Sequence, residues 1–380
     1  MSKLLTALAL LIMLENGWAQ LPGSTERRAT TRARQFAFTH YNITRGLSSN
    51  YVNNIVQDHK GFMWLATANG LQRYDGNKFT RYPAVPGNRN SLPDDNVAFV
   101  FTDKKKRLWV GTVDNKIGIF NTDRLTYREA KVQYKNELTL YAPKKLIETT
   151  TGALVLFVHG QGALRYNDAT NTFEQQTFPL PLPKNWRYLD VCEDFRTGKI
   201  WIAADSGLAL YNPKTSELSY RGHNVANDPL IRKYGAITQI TSVYQDNYDR
   251  FMMVSWGPKT SIPIIFYHDL KTGESREHDL SQEALKAGYF EVQGTMRQQN
   301  GRLWIYGLPF LLEYGREGKL QNIIQNDFRE EHNIRFEKVN DVFEDKQHNL
   351  WVSTNNGIFY FNPDGQMFNS YDLVRPTTGP

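Results

Sequence analysis

The sequence predicts an all-β fold, a seven-bladed β-propeller of four-stranded antiparallel blades. A unit of similar sequence recurs seven times along the 380 residues, at intervals of 45 to 52 residues. Each unit contains four short runs of alternating apolar and polar residues, separated by turns rich in Gly, Asn and Asp. One position in the second run is usually Trp, and in the seven units it is occupied by Trp64, Trp109, Val155, Trp201, Met252, Trp304 and Trp351.

The first unit shows how the elements are assigned. Its predicted strands are "YVNNIVQD", "FMWLAT", "LQRYD" and "KFTRY", and its turns are "DHKG", "ANG" and "DGN". Gly and Asn in such turns tolerate positive φ, and Asp accepts hydrogen bonds from the neighbouring backbone. A four-stranded blade cannot bury both of its faces alone, so neighbouring blades are expected to pack face to face around a central axis.

Two repeated positions are predicted to be structural. A buried Trp on the second strand, between blades, contributes about 3–5 kcal/mol relative to Ala. These anchors are Trp64, Trp109, Trp201, Trp304 and Trp351. An acidic residue recurs in the turn after the first strand, at Asp58, Asp103, Asp194, Asp246 and Asp345. One carboxylate per blade predicts turn capping rather than a shared acid/base or metal site.

The N-terminal segment of the chain predicts export. Residues 1–19 resemble a secretory signal peptide, because Lys3 precedes the apolar run "LLTALALLIML" and the small residues Gly17 and Ala19 follow it. Residues 20–34 form a basic polar linker, residues 35–372 the propeller and residues 373–380 a tail. We therefore expect an exported, periplasmic protein. Its net charge of +6 is modest, and no nucleic-acid partner is expected.

The stretch from Gly46 to Tyr82 resembles the two-component-regulator propeller repeat. The matching features are "GLSSN", the pattern "IVQDHKGFMW", the segment "TANGL" and "YDG". The resemblance implies a sensor propeller of the kind found outside the cytoplasm in hybrid two-component systems of gut Bacteroidetes. It further implies recognition of oligosaccharides released from polysaccharides, and signalling across the membrane.

The sequence differs from the full pattern of that family. Typical members continue into a second propeller, a membrane-spanning helix and a histidine kinase, whereas this sequence has no second apolar span and no kinase motif. We expect this chain to be the N-terminal part of a longer sensor, with a second propeller or a downstream sensor-kinase segment as partner. The alternative is a stand-alone propeller. Two segments, residues 35–42 and "QMFNSYD", compete for the outer strand of the last blade, which supports the same expectation.

A ligand site is predicted on the face that carries the longer loops after the second and fourth strands. Trp186 and Trp256 have no place in the repeat and lie in such loops, on adjacent blades. Aromatic rings beside forked polar side chains suit a sugar. The polar candidates in reach are Arg187, Tyr188, Lys259, His159, Gln161 and Asp205. The alternative is that both Trp side chains only cover apolar loop residues.

The sequence contains none of the local motifs of common enzymes. The eight His residues lack metal-ligand spacing, and no nucleophile elbow, phosphate loop or dinucleotide motif occurs. We therefore predict no catalytic residues, no metal and no cofactor, and a non-catalytic function in ligand sensing. The alternative is a secreted carbohydrate-active propeller, a lyase or a glycosidase, which needs convergent carboxylates or a Tyr/His pair near the axis.

Overall fold

The fold is a seven-bladed β-propeller, as the repeat predicted. A computed structural model describes residues 36–134, 144–175, 181–246, 249–256, 262–281, 290–325 and 335–365. Within them the strands form seven sheets, six of four strands and one of five. The predicted signal peptide and linker, the segment "QMFNSYD" and Lys259 lie outside the described residues.

The first three blades follow one another along the chain. The chain begins with strand β1 (Thr39–Tyr41) and a 3-10 helix (Ile43–Arg45). Blade 1 consists of β2 (Val52–Gln57), β3 (Met63–Thr67), β4 (Gly70–Tyr74) and β5 (Phe79–Tyr82). Blade 2 consists of β6 (Val97–Thr102), β7 (Leu108–Thr112), β8 (Ile117–Asn121) and β9 (Thr126–Glu129). Blade 3 consists of β11 (Lys144–Glu148), β12 (Leu154–Val158), β13 (Gly162–Asn167) and β14 (Thr172–Glu174), and β10 (Lys131–Gln133) adds a fifth, parallel strand beside β14.

The next three blades repeat the same meander. Blade 4 consists of β15 (Tyr188–Glu193), β16 (Ile200–Ala204), β17 (Leu208–Asn212) and β18 (Glu217–Tyr220). Blade 5 consists of β19 (Ile240–Gln245), β20 (Arg250–Trp256), β21 (Pro263–Asp269) and β22 (Ser275–Asp279). Blade 6 consists of β23 (Glu291–Arg297), β24 (Leu303–Leu308), β25 (Phe310–Tyr314) and β26 (Leu320–Gln325). The connector between blades 4 and 5 contains a short α-helix (Pro229–Tyr234), capped by the Asp228 side chain, which accepts from Leu230 N at 2.8 Å.

The N-terminal strand completes the last blade. Blade 7 consists of β27 (Val339–Glu344), β28 (Leu350–Thr354), β29 (Gly357–Phe361) and, outermost, β1. Strand β1 pairs antiparallel with β29, with Thr39 opposite Tyr360 and Tyr41 opposite Ile358. Of the two segments that competed for this position, residues 35–42 therefore supply the strand. The pairing covers what would otherwise be an exposed strand edge.

The repeat Trp residues are inter-blade anchors. Their exposed fractions lie between 0 and 5%. Most of the rings contact an aromatic ring on the third strand of the next blade: Trp64 on Phe120, Trp109 on Tyr166, Trp304 on Phe361 and Trp351 on Tyr74. Trp201 instead contacts Phe251 on the second strand of blade 5. The core is therefore divided into clusters, each lying between two blades.

Three of the repeated Asp residues cap turns and also bond the Trp of their own blade, whereas the Trp201 indole N–H donates to Gln245 at 2.7 Å. Asp58 accepts the backbone N–H groups of Lys60 and Phe62 through Oδ1, and the indole N–H of Trp64 through Oδ2 at 2.8 Å. Asp103 and Asp345 accept from Trp109 and Trp351 in the same way, each at 2.9 Å. In blade 6 the acceptor is neutral, because Gln298 takes the indole N–H of Trp304 at 2.8 Å.

Side chains from the innermost strands connect consecutive blades around the axis. Asn54 both accepts from Val100 N and donates to Val100 O in blade 2. Asp190 accepts from Val243 N in blade 5 at 3.1 Å, and Asp341 accepts from Ile55 N in blade 1 at 3.2 Å. These residues follow a β-bulge in the first strand, which turns the side chain toward the neighbouring blade.

Candidate functional site

Five of the predicted ligand-site residues lie together on the long-loop face, and we call this group the rim cluster: His159, Gln161, Arg187, Tyr188 and Asp205. His159 and Gln161 belong to the turn between β12 and β13, and Asp205 to the turn between β16 and β17. Arg187 and Tyr188 lie where the chain enters β15. Second strands end and first strands begin on the same face of an antiparallel blade, so the topology brings these groups together.

An ion pair forms the outer part of the rim cluster. Arg187 Nε lies 3.2 Å from Asp205 Oδ2, and the backbone N–H of Arg187 donates to Asp205 Oδ1 at 3.0 Å. Burial acts against the charge of Asp205, but these bonds from Arg187 and one from Ser206 lower the pKa of its carboxyl below the usual value. The Arg187 side chain is 69% exposed, so its remaining donors face solvent.

Tyr188 and His159 form the inner part of the cluster. The Tyr188 carbonyl accepts from Gly160 N at 2.7 Å, which connects β15 to the turn that carries His159. Burial raises the pKa of the Tyr188 hydroxyl to about 12. Burial, with Arg187 close by, lowers the pKa of His159 below its usual value, so its imidazole is neutral at pH 7.

The rim cluster continues inward to charged residues near the axis. Asp190 lies two positions after Tyr188 on β15, and its charge acts on His159. Lys145 Nζ donates to Asp190 Oδ1 at 3.0 Å from the innermost strand of blade 3. The two cations Arg187 and Lys145 thus each have one carboxylate partner, and the charges of this region balance.

The two non-repeat Trp residues have different surroundings. Trp186 is half-buried, contacts Tyr220 edge-on at 5.6 Å, and covers Gly207, where any Cβ would lie 2.9 Å from the indole ring. These contacts correspond to the alternative in which the ring covers loop and core residues. Trp256 is half-buried at the end of β20, and its backbone N–H donates to Gln239 O at 3.1 Å. Gln239 N in turn donates to Asp205 O at 2.8 Å, which connects Trp256 to the rim cluster.

A second polar group near the axis was not predicted. Tyr306 of blade 6 donates to Asp341 of blade 7 at 3.2 Å. Burial raises the pKa of Asp341 to about 6, although the bonds from Ile55 N and Tyr306 act in the opposite direction. Burial also raises the pKa of the Tyr306 hydroxyl well above its usual value, and the charges of Asp341 and Asp190 add to this. Asp190 belongs to blade 4, two blades away from Tyr306. Because its charge still acts on Tyr306, the Asp190 carboxylate and the Tyr306 hydroxyl both point toward the axis.

A sequence signal for these axial residues does exist. The first strands of blades 1 and 7 carry "VNN" and "VND" at the bulge. Asn53 donates to Val97 O at 2.7 Å and Asn340 donates to Val52 O at 2.8 Å, each reaching the next blade. The repeated Asn after Val therefore marks side chains that connect innermost strands.

The described part of the chain contains neither a cluster of metal ligands nor a helix that could span a membrane. No group of three or more His, Cys, Asp or Glu side chains in those segments is arranged to hold a metal ion. Within the same segments, no helix has the length and hydrophobicity needed to cross a bilayer. The single cysteine, Cys192, is a free thiol whose pKa is raised by burial, which disfavours the reactive thiolate.

The fold and this site define a β-propeller with a polar axial region and a cluster of aromatic and hydrogen-bonding side chains on its loop face. Two segments, residues 46–69 and 333–356, match the family described as two component regulator propeller. They cover the first strands of blades 1 and 7, the two blades that meet where the ring closes. The resemblance predicted from the sequence is thus confirmed. No curated protein sequence matches the chain.

Solved structures with the same fold include extracellular domains from B. thetaiotaomicron. The extracellular domain of a protein named as a hybrid two component system from B. thetaiotaomicron superimposes with a TM-score of 0.64 at 18% identity, over 86% of this chain and 42% of that one. The extracellular domain of a protein named as a one component system from B. thetaiotaomicron gives 0.60 at 19% identity, over 86% and 40%. PorZ, a surface component of the type-IX secretion system of Porphyromonas gingivalis, gives 0.54 at 11% identity, over 89% and 40%. This chain spans about two fifths of the length of these structures.

Proposed function

We propose that this chain is an exported sensor propeller that binds an oligosaccharide on its long-loop face and passes the signal to a further part of the sensor. The likeness to the two component regulator propeller family and to extracellular domains of two-component systems supports a role as a sensor outside the cytoplasm. The ligand, the periplasmic location, the role of residues 1–19 as signal peptide and the downstream signalling segment belong to the proposal.

The rim cluster is the observation that supports an oligosaccharide ligand. Sugars present hydroxyl groups and apolar C–H faces, so their sites combine paired donors and acceptors with aromatic rings. Here the Arg187–Asp205 pair supplies a fork of donors beside an acceptor, and Tyr188 and Trp256 supply rings. Neutral His159 and the balanced charges of the region suit an uncharged sugar chain better than a polyanion.

The test is calorimetric titration of the full chain with a panel of oligosaccharides. We expect at least one to bind and to raise the thermal unfolding midpoint, and Arg187→Ala to weaken its binding about tenfold through the loss of charge-assisted hydrogen bonds. Trp256→Ala should also weaken binding, with an unchanged circular dichroism spectrum.

Arg81→Ala is the matched control. Arg81 is a partly exposed arginine paired with an aspartate, Nη2 to Asp95 Oδ2 at 2.9 Å, on blade 1 and away from the rim cluster. It should leave affinity unchanged. The proposal fails if no oligosaccharide binds, or if Arg81→Ala and Arg187→Ala weaken binding equally.

A carbohydrate-active enzyme is the second candidate, and the Tyr306–Asp341 pair near the axis is the observation in its favour. A buried hydroxyl beside a carboxyl with a pKa of about 6 offers an acid/base pair. However, both axial carboxylates, Asp190 and Asp341, accept backbone N–H groups of the next blade, which is a structural use. Incubation with a polysaccharide panel decides: product release that is lost in Tyr306→Phe would support the enzyme.

A further inference from the structure

Four turns on the face opposite the long loops share an arrangement of charge, and we call the surface that they form the turn face. They follow the first strands of blades 1, 2, 4 and 7, and their sequences are "DHKGF", "DKKKR", "DFRTGK" and "DKQHN". Each turn contains one carboxylate, the capping Asp, and at least one Lys or Arg. Because the first strand is the innermost strand of a blade, these turns lie close to the axis.

The carboxylates of the four turns are buried, whereas the cations face outward. At most 6% of each capping Asp is exposed: Asp58, Asp103, Asp194 and Asp345. Each accepts backbone N–H groups of its own turn, as Asp345 accepts from Gln347 N and Asn349 N, both at 2.9 Å. Six of the eight cations are exposed: Lys60, Lys104, Lys105, Lys106, Arg196 and Lys346. A turn that buries its Asp and exposes the following Lys therefore presents positive charge to solvent.

Half of these eight cations have no carboxylate partner among the described residues. The other four form ion pairs with carboxylates that include the exposed Asp123, Asp168 and Asp249: Lys60, Lys105, Arg107 and Arg196. Exposed pairs of this kind contribute little and can rearrange. Lys104 and Lys346 donate to backbone carbonyls, Thr149 O at 2.8 Å and Asp58 O at 2.9 Å, so their charges are not neutralised. In the same described segments, the side chains of Lys106 and Lys199 form no hydrogen bond or ion pair.

Two exposed apolar side chains lie on the turn face. Phe195 belongs to the turn of blade 4, directly before Arg196, and is 50% exposed. Leu125 is 44% exposed in the turn after the third strand of blade 2, which reaches the same face. An aromatic ring beside cations suits the boundary between lipid head groups and acyl chains. A soluble polyanion, in contrast, offers no apolar phase in which these side chains could be buried.

We propose that the turn face docks on an anionic lipid bilayer. The four lysines without a carboxylate partner attract the lipid phosphates, and Phe195 enters the head-group layer. The long-loop face, with the rim cluster, then points away from the bilayer and is open to ligand. The proposal goes beyond the proposed sensor function and does not depend on which ligand the rim cluster binds.

Cosedimentation of the full chain with lipid vesicles is the test. We expect binding to vesicles of phosphatidylglycerol mixed with phosphatidylcholine, weaker binding as salt is added, and weaker binding to phosphatidylcholine alone. Lys106→Gln and Lys199→Gln should each weaken binding about fivefold, the effect of one Lys at an anionic surface. Phe195→Ser should also weaken it about fivefold, because half of the residue is available for burial. The apolar residues 4–14 are present in every variant, so differences between variants report on the turn face.

Two matched substitutions on the long-loop face are the controls. Lys184→Gln removes the same charge from an exposed Lys, and Val225→Ser removes an apolar side chain of a residue that is 51% exposed. Neither should change vesicle binding, and all variants should keep the circular dichroism spectrum of the unaltered chain. Arg187→Ala should also leave vesicle binding unchanged, which separates this result from the oligosaccharide proposal.

Three results would overturn the membrane proposal. The first is that the chain does not bind vesicles that contain phosphatidylglycerol. The second is that Lys106→Gln weakens binding no more than Lys184→Gln does. The third is that Phe195→Ser and Val225→Ser bind alike, because the turn face would then recognise charge alone, as it would on a soluble polyanion.

Discussion

The pairing of Trp64 with Asp58 makes a quantitative prediction about how the blades are held. The Trp64 side chain is fully buried, and its indole N–H donates to the 3% exposed carboxylate of Asp58 at 2.8 Å. Trp64→Phe keeps an aromatic ring but deletes the donor. Loss of a hydrogen bond to a charged group costs about 1.5–3 kcal/mol, and the missing part of the ring adds about 1–2 kcal/mol.

Trp304→Phe is the matched substitution. Trp304 is equally buried and lies at the same position in blade 6, but it donates to the neutral amide of Gln298 at 2.8 Å. The ring truncation is the same, while a neutral hydrogen bond contributes only about 0.5–1.5 kcal/mol. We therefore expect Trp64→Phe to lower the free energy of unfolding by about 1 kcal/mol more than Trp304→Phe does.

Urea unfolding followed by far-ultraviolet circular dichroism measures this difference without using the altered fluorophores. A double-mutant cycle of Trp64→Phe with Asp58→Ala isolates the pair from the turn-capping bonds of Asp58, and its coupling energy should exceed about 1 kcal/mol. An equal or larger cost for Trp304→Phe, or a coupling energy near zero, would refute the view that the carboxylate holds the indole.

Three further predictions concern the closure of the ring. The pKa of Asp341 is about 6 in the folded protein, above its usual 3.8, so folding favours the protonated carboxyl. The contribution of this protonation to the free energy of unfolding is full below about pH 4 and is lost as the pH rises through about 6. Asp341→Asn should therefore flatten the stability-pH curve between these values by about 1–3 kcal/mol, measured by urea unfolding. Gly357→Ala places a Cβ 2.2 Å from the Tyr41 carbonyl at a φ of +89°, so we expect a loss of at least about 2 kcal/mol and faster proteolysis of the N-terminal strand; a wild-type digestion pattern would contradict this. Asn340→Ala removes the 2.8 Å bond to Val52 O and should lower the thermal midpoint by a few degrees, corresponding to about 1 kcal/mol; an unchanged midpoint would show that the bond contributes nothing.

The sequence indicated the face on which the candidate residues lie better than it indicated which of their side chains are exposed. Alternation of loops along an antiparallel blade placed His159, Arg187 and Asp205 on one face. In the structure, hydrogen bonds join Arg187 to Asp205, and one from Gly160 N to the Tyr188 carbonyl joins the turn that carries His159 to β15. Trp186 is different: its ring packs on Tyr220 and covers Gly207. The sequence does not show which residues lie beneath a loop side chain. Those residues decide whether an aromatic ring in the loop is available to a ligand.

The sequence by itself determined the number of blades, the four repeat strands of each blade and the positions of the Trp anchors, but not the fifth strand β10 of blade 3. This information is local, because strand alternation, turn residues and a repeat length of about 50 residues are all read within one unit. The presence of Met252 at the Trp position of the fifth unit is likewise evident from comparing the repeats.

Only the tertiary structure decided how one unit meets the next. It placed β1 beside β29 to close the ring, and it brought Tyr306 to Asp341. Each of these contacts joins residues of different blades or chain ends. Their geometry depends on how whole blades pack around the axis, and the pattern within a single repeat does not specify it for these residues.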